Sequence, residues 1–183
     1  AKQRAEKLVA DLKTALRARI GKLDWMADAT KKAAYAKLDT LTPKVGYPDH
    51  WKDYSALVVG RESYAANVMD AQRWQFQDEL SKFGKPVDRT EWDMTPQTYN
   101  AYYNPSNNEI VLPAAAFILP GIADSLIDDA LVYGYAGGGT IGHEITHGFD
   151  DEGRQFDDKG NLVDWWTPQD AKEFKARASR IVD

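Results

Sequence analysis

The sequence holds no cysteine. That excludes disulfides, a thiolate metal centre and a cysteine nucleophile, so any transition-metal site has to be built from histidines and carboxylates. Histidine is itself scarce, with three in 183 residues. Positive charge is neither abundant nor concentrated. The 23 Lys and Arg stand against 28 Asp and Glu, for a net charge of −5, and they are scattered singly or in pairs. No basic stripe marks a nucleic-acid partner. No apolar run is long enough to cross a bilayer, since the most apolar stretch, Leu112 to Ala123, is broken by Pro113, Pro120 and Gly121. A phosphate-binding Gly-rich loop, a dinucleotide fingerprint and a GxSxG nucleophile turn are also missing. The first residue is not Met and no leader is visible. The chain opens directly into AKQRAEKLVADLKTALRARI, which suggests a piece of a longer protein.

What is present reads as mostly helical. Leu8, Leu12, Leu16 and Ile20 recur at helical spacing before Gly21. Asp28 to Leu38 is rich in helix formers, and the segment around Thr42 to Trp51 is extended or turning. A third helix is expected from Ser63 to Phe83, closed by Gly84 and by Lys85-Pro86. The texture then changes to TYNAYYN, a PSNN turn and EIVLP, which together predict a β-hairpin. Leu131 to Phe149 is helix-like despite Gly134, Gly137, Gly138, Gly139 and Gly142 in its interior, so tertiary contacts are needed to offset the cost of roughly 1 kcal/mol for each one. Thr167-Pro168-Gln169-Asp170 carries an N-cap, a Pro at the first helical position and an acid three residues after the cap. A last helix is therefore expected from Pro168 toward Val182. The six Trp and nine Tyr, with no basic groove beside them, read as core.

Two of the three histidines fall in one pentapeptide, His143-Glu144-Ile145-Thr146-His147. On a helix, residues four apart lie on one face, so both imidazoles can reach a single ion, Zn2+ being the natural choice. Glu144 projects beside that face, where it can take a proton from water acidified by the metal. A catalytic zinc needs a third protein ligand. The metzincin extension is excluded because Asp150 and Gly153 stand where its Gly and third His belong. His50, in a turn, reads as a surface residue. Glu173 shares its helix with Lys172, Lys175 and Arg177 and reads as part of a solvated charged face. The acidic run Asp150, Asp151, Glu152, Asp157 and Asp158 fits no EF-hand spacing, and it reads as a solvated loop in which one acid can support the zinc site.

Beyond the pentapeptide, the sequence closely resembles the neprilysin family of zinc peptidases, family M13, along nearly its whole length. The strongest stretch is IGHEITHGFDDEGRQFDDKGNLVDWWT, from Ile141 to Thr167. NAYYNPSNNEIVLPAA, from Asn100 to Ala115, is second, and LDWMADATKKAAYAKL and KVGYPDHWKDYSAL add support. The resemblance implies that His143 and His147 are zinc ligands and Glu144 the general base. It implies that Asn100 and Ala101 bind the backbone of an oligopeptide substrate as an added strand. It also implies a third ligand, a Glu on a downstream helix, expected beyond Asp183.

The fold implied is α+β and mostly α, a thermolysin-like (zincin) catalytic domain with a small antiparallel sheet beside the HExxH helix. Residues 1–84 would be a helical segment leading into that domain, and residues 85–183 its N-terminal part. The activity implied is that of a zinc metalloendopeptidase. Its location stays open: a bacterial periplasm or the exterior is favoured over the cytoplasm, and the absence of cysteine fits either. The chain alone would be an inert fragment or interaction module lacking its third ligand, while a metal-dependent hydrolase of other substrates is a more distant reading. One departure concerns Phe117 to Ala123, FILPGIA, where the family carries a segment like ILQPPFF. This bears on the shape of the neighbouring pocket.

Overall fold

The computed structural model describes residues 2–119 and 121–182. The chain forms two compact units, residues 1–47 with 92–183, and residues 48–91.

In the first unit, α1 (Lys2–Gly21) and α2 (Asp28–Thr40) lead into β1 (Thr42–Gly46). The expected hairpin is β2 (Tyr102–Asn104) and β3 (Glu109–Pro113). Asn108 closes its turn with φ 47°, a conformation that Asn tolerates better than most residues. The sheet order is β1-β3-β2, with β3 antiparallel to β2 and parallel to β1. The sheet is therefore mixed, and β1 adds a strand that the sequence left as an extended turn. Pro43 is tolerated because β1 is an edge strand. Lys44 is offset by an ion pair with Glu109, Nζ to Oε2 2.9 Å, both side chains being buried.

β3 is buried along its whole length. Its Ile110 and Leu112 share one core with Leu8 and Val9 of α1, Leu38 of α2, Val45 of β1, and Ile141 and Ile145, which precede and lie within the histidine motif. A second, aromatic cluster joins Ile20, Met26 and Trp166 to Trp25, Trp165 and Phe174.

The glycine-rich helix is composite. α4 (Asp129–Val132) widens into a π-helix (Tyr133–Ile141) and tightens again into α5 (Gly142–His147). Gly137 is where the backbone must come close, because a Cβ there would lie 3.2 Å from Leu8 Cδ1. This small-residue contact sets α1 against the helix that carries the histidines.

α6 (Pro168–Val182) begins where the capping signal predicts. Thr167 Oγ1 accepts from Asp170 N at 3.1 Å, and Asp170 Oδ2 accepts from Thr167 N at 3.0 Å. The same carboxylate reaches α2, whose own N-cap, Ala27, has no side-chain acceptor. Asp170 Oδ1 accepts from Ala27 N at 2.8 Å and Oδ2 from Thr30 Oγ1 at 2.6 Å. One buried acid thus caps two helices.

The second unit is built on α3 (Tyr64–Lys82), capped by Ser63, whose Oγ accepts from Ala66 N. Asn67 exchanges two hydrogen bonds with Gly60, and Lys52 pairs with Asp78 at 2.7 Å. Among the described residues, no helix is long and apolar enough to cross a membrane.

Candidate metal and peptide site

α5 is regular α-helix through the motif, so His143 and His147 stack one turn apart with ring centroids 4.5 Å from each other. Their Nε2 atoms approach to 3.0 Å. Two ligands on a tetrahedral Zn2+ at about 2.0–2.1 Å lie about 3.3 Å apart, so the pair fits such an ion with a small adjustment. His147 Nδ1 faces Asp150 Oδ2 at 3.1 Å, the arrangement that fixes the tautomer of a ligating imidazole and leaves Nε2 for the metal. Asp150 is itself held, since its Oδ1 accepts from Glu152 N at 3.0 Å and Gly153 N at 2.7 Å.

Glu144 is only 7% exposed. Burial raises its carboxyl pKa, while the two histidines and the backbone N–H of Tyr103 act in the opposite direction. That N–H belongs to β2, at the open edge of the sheet. The strand therefore turns one edge to β3 and offers the other to the site.

These groups line one cleft of about 530 Å³ with Asn100, Ala101, Tyr102, Pro105, Glu152 and Phe156. Asn100 and Ala101 lie just before the paired part of β2. Asn100 is exposed, its Oδ1 accepting from Ala101 N at 2.9 Å, whereas Ala101 is buried in the core. The cleft thus brings together all five site residues expected from the sequence.

The other candidates stay apart from this chemistry. His50 is exposed in the second unit. Glu173 pairs with Arg177 and accepts from Gln169, as a charged helix face does. Among the described residues, no third imidazole or carboxylate joins His143 and His147. The one group of three close potential ligands among the described residues is Asp78, Glu79 and Glu91 in the second unit, where Lys52 and Lys82 meet the charge. Asp150 is the acid beside His147 that the sequence left unspecified. Its signal is an acid three residues after the second histidine, at the end of the helix. Pro120, part of the departing FILPGIA segment, lies outside the described residues.

Comparison with known proteins decides the family. Residues 100–183 match the model of peptidase family M13, and residues 1–48 match the model of that family's N-terminal region. The chain belongs to peptidase family M13. An endothelin-converting enzyme-like 1 of Mus musculus is 40% identical over 99% of this chain and 24% of its own length. The zinc metalloprotease ZMP1 of Mycobacterium tuberculosis, solved with an inhibitor, superposes with a TM-score of 0.89 at 50% identity, over 99% of this chain and 27% of that one. PepO of Lactobacillus rhamnosis superposes at 0.85 with 32% identity, over 97% of this chain and 28% of its own. This M13 chain therefore spans about a quarter of the length of the relatives it matches. Its fold is that of the M13 zincin-type peptidases, mostly helical with a small mixed sheet.

Proposed function

We propose that the protein acts as a zinc-dependent metalloendopeptidase on oligopeptides. The supporting observation is the convergence of His143 and His147 Nε2 to 3.0 Å beside the buried Glu144 carboxylate. His143 and His147 would hold the metal, with a third ligand, a Glu, supplied from beyond Asp183. Zinc, when bound, supplies a Lewis acid for the scissile carbonyl and acidifies water. Glu144 takes the proton of the attacking water and delivers it to the leaving amine. Its partial burial favours this, since a raised pKa brings the carboxyl nearer the proton it must carry. Tyr103 N–H steadies Glu144, and Asp150 keeps His147 in the tautomer that leaves Nε2 free. Asn100 and Ala101, continuing the open edge of β2, receive the peptide backbone as an added strand.

Glu144→Gln tests the reading. Zinc should remain bound while peptide hydrolysis falls by about a hundred- to ten-thousand-fold. Unimpaired hydrolysis would remove Glu144 from the role of base. A second reading concerns the 183-residue chain on its own. Two imidazoles and no third ligand among the described residues favour little or no turnover by this piece alone. Normal, chelator-sensitive peptide cleavage by the isolated chain would overturn that second reading.

A further inference from the structure

Lys37 occupies a core position of α2. Its side chain is 1% exposed, in a helix that otherwise buries Thr30, Ala34 and Leu38. Nζ donates to Gly153 O and to Phe156 O, each at 2.6 Å. It lies 5.8 Å from the centroid of the Tyr103 ring and 5.6 Å from that of Trp165. An apolar side chain would serve helix packing at this position without the desolvation that a buried ammonium entails. The bonds it makes go to a distant turn.

That turn is the one that orients Asp150. Gly153 N donates to Asp150 Oδ1, and Asp150 Oδ2 faces His147 Nδ1. Gly153 also packs directly on the histidine's backbone, where a Cβ would sit 1.9 Å from His147 O. Lys37, Gly153, Asp150 and His147 are consecutive links of one close-packed chain. Lys37 also supports the other wall of the cleft. Its backbone O accepts from Asn108 Nδ2 at 2.9 Å, and Asn108 Oδ1 accepts from Tyr103 Oη at 3.0 Å.

We propose that Lys37 is a positioning residue for the metal site, pinning the 150–156 turn through two backbone carbonyls so that Asp150 holds His147 with Nε2 aimed at the metal. The proposal rests on the reading of His143 and His147 as zinc ligands. The ammonium acts through geometry, its two bonds to Gly153 O and Phe156 O holding the turn that carries Asp150.

The experiment compares zinc affinity, by competition with a coloured chelator at neutral pH, in the wild type and in Lys37→Met, Lys37→Arg and Leu38→Ala. Folding is checked by circular dichroism, and the His147 tautomer is read from imidazole 15N shifts. Leu38 is a neighbouring core residue, so its truncation controls for lost stability alone. Partners of metal-bound histidines typically contribute 10- to 100-fold in affinity. Lys37→Met should weaken zinc about tenfold and mix the His147 tautomers, with partial rescue in Lys37→Arg and a change within about twofold in Leu38→Ala. If Lys37→Met does not fold, Lys37→Gln, which can donate to one of the two carbonyls, carries the same expectation at about threefold or more. Wild-type affinity in the neutral variant, or an equal loss in Leu38→Ala, would overturn the positioning role. All variants are made in the protein that includes the segment expected to supply the third ligand, and a wild type of that protein that binds no zinc would overturn the metal reading and the Lys37 role with it.

Discussion

Asp170→Asn should destabilise the protein far more than an ordinary cap substitution. Four donors converge on this carboxylate, namely Ala27 N, Thr30 Oγ1, Thr167 N and Thr167 Oγ1, at 2.5–3.0 Å. An amide oxygen can replace one carboxylate oxygen but not both. The Asn NH2 then faces either Ala27 N–H at the start of α2 or the Thr167 donors at the start of α6. The two hydroxyls can rotate to other acceptors, but the backbone N–H groups cannot. Leaving one backbone donor unpaired costs about 1–3 kcal/mol, and losing the charge on the remaining bonds adds about 1 kcal/mol or more. The expected loss is about 3 kcal/mol, a large share of a stability of about 5–15 kcal/mol.

The loss should also depend on pH with a definite sign. Burial by itself would push the Asp170 carboxyl up, but hydrogen bonds from Thr167, Thr30 and Ala27 outweigh it and hold the pKa below the usual range. A carboxyl lowered in the folded state contributes stability above its unfolded pKa and loses it as pH falls through the folded one. Urea melts of wild type and Asp170→Asn should therefore differ most near neutral pH and converge in acid. A difference below about 0.5 kcal/mol at pH 7, where an intact double cap is worth several times that, would refute the shared-cap argument. A difference that persists unchanged into acid would assign the loss to shape instead of charge.

Other substitutions test other joints of the structure. Gly153→Ala forces a Cβ to within 1.9 Å of the His147 carbonyl, so it should lower stability by at least about 1–3 kcal/mol and weaken zinc binding, read by melts and chelator competition. Glu109→Ala leaves the Lys44 ammonium buried without that partner and should cost about 3–5 kcal/mol in a denaturant melt. Burial lowers the Lys37 pKa to about 8 from 10.5, so the folded protein releases this proton before the unfolded chain does. Stability should gain a rising component between those pH values, absent in Lys37→Met. Identical pH profiles in the two proteins would contradict it.

The sequence carried the helices because their ends are written locally. Gly21, Ser63 and Thr167-Pro168 stand where helices α1, α3 and α6 end or begin. The hairpin was legible for the same reason, with two β-prone runs about a PSNN turn. β1 was not, because Pro43 and Lys44 break the apolar alternation and its partner β3 lies more than sixty residues away. The π-helical stretch also escaped, since helical periodicity does not distinguish a π turn from an α turn. The glycines there implied close packing, and at Gly137 that packing is present, whereas a Cβ at Gly134, Gly138 or Gly139 would meet open space.

The candidate site divides along the same line. The histidines and Glu144 are readable because helical spacing alone brings them to one face. What holds them is not local. Tyr103, which faces Glu144, comes from the edge of a sheet, and Lys37, which pins the turn behind Asp150, comes from a helix more than a hundred residues earlier in the chain. Both depend on α1, whose Leu8 and Val9 share the core of Ile141 and Ile145 and whose approach Gly137 permits. The first forty-seven residues therefore buttress from behind a cleft whose lining runs from Asn100 to Phe156. A peptide that contained only Ile141 to Thr167 would keep both imidazoles and Glu144 while losing β2 and Lys37. It would have the residue types for zinc without the supports that hold them in register.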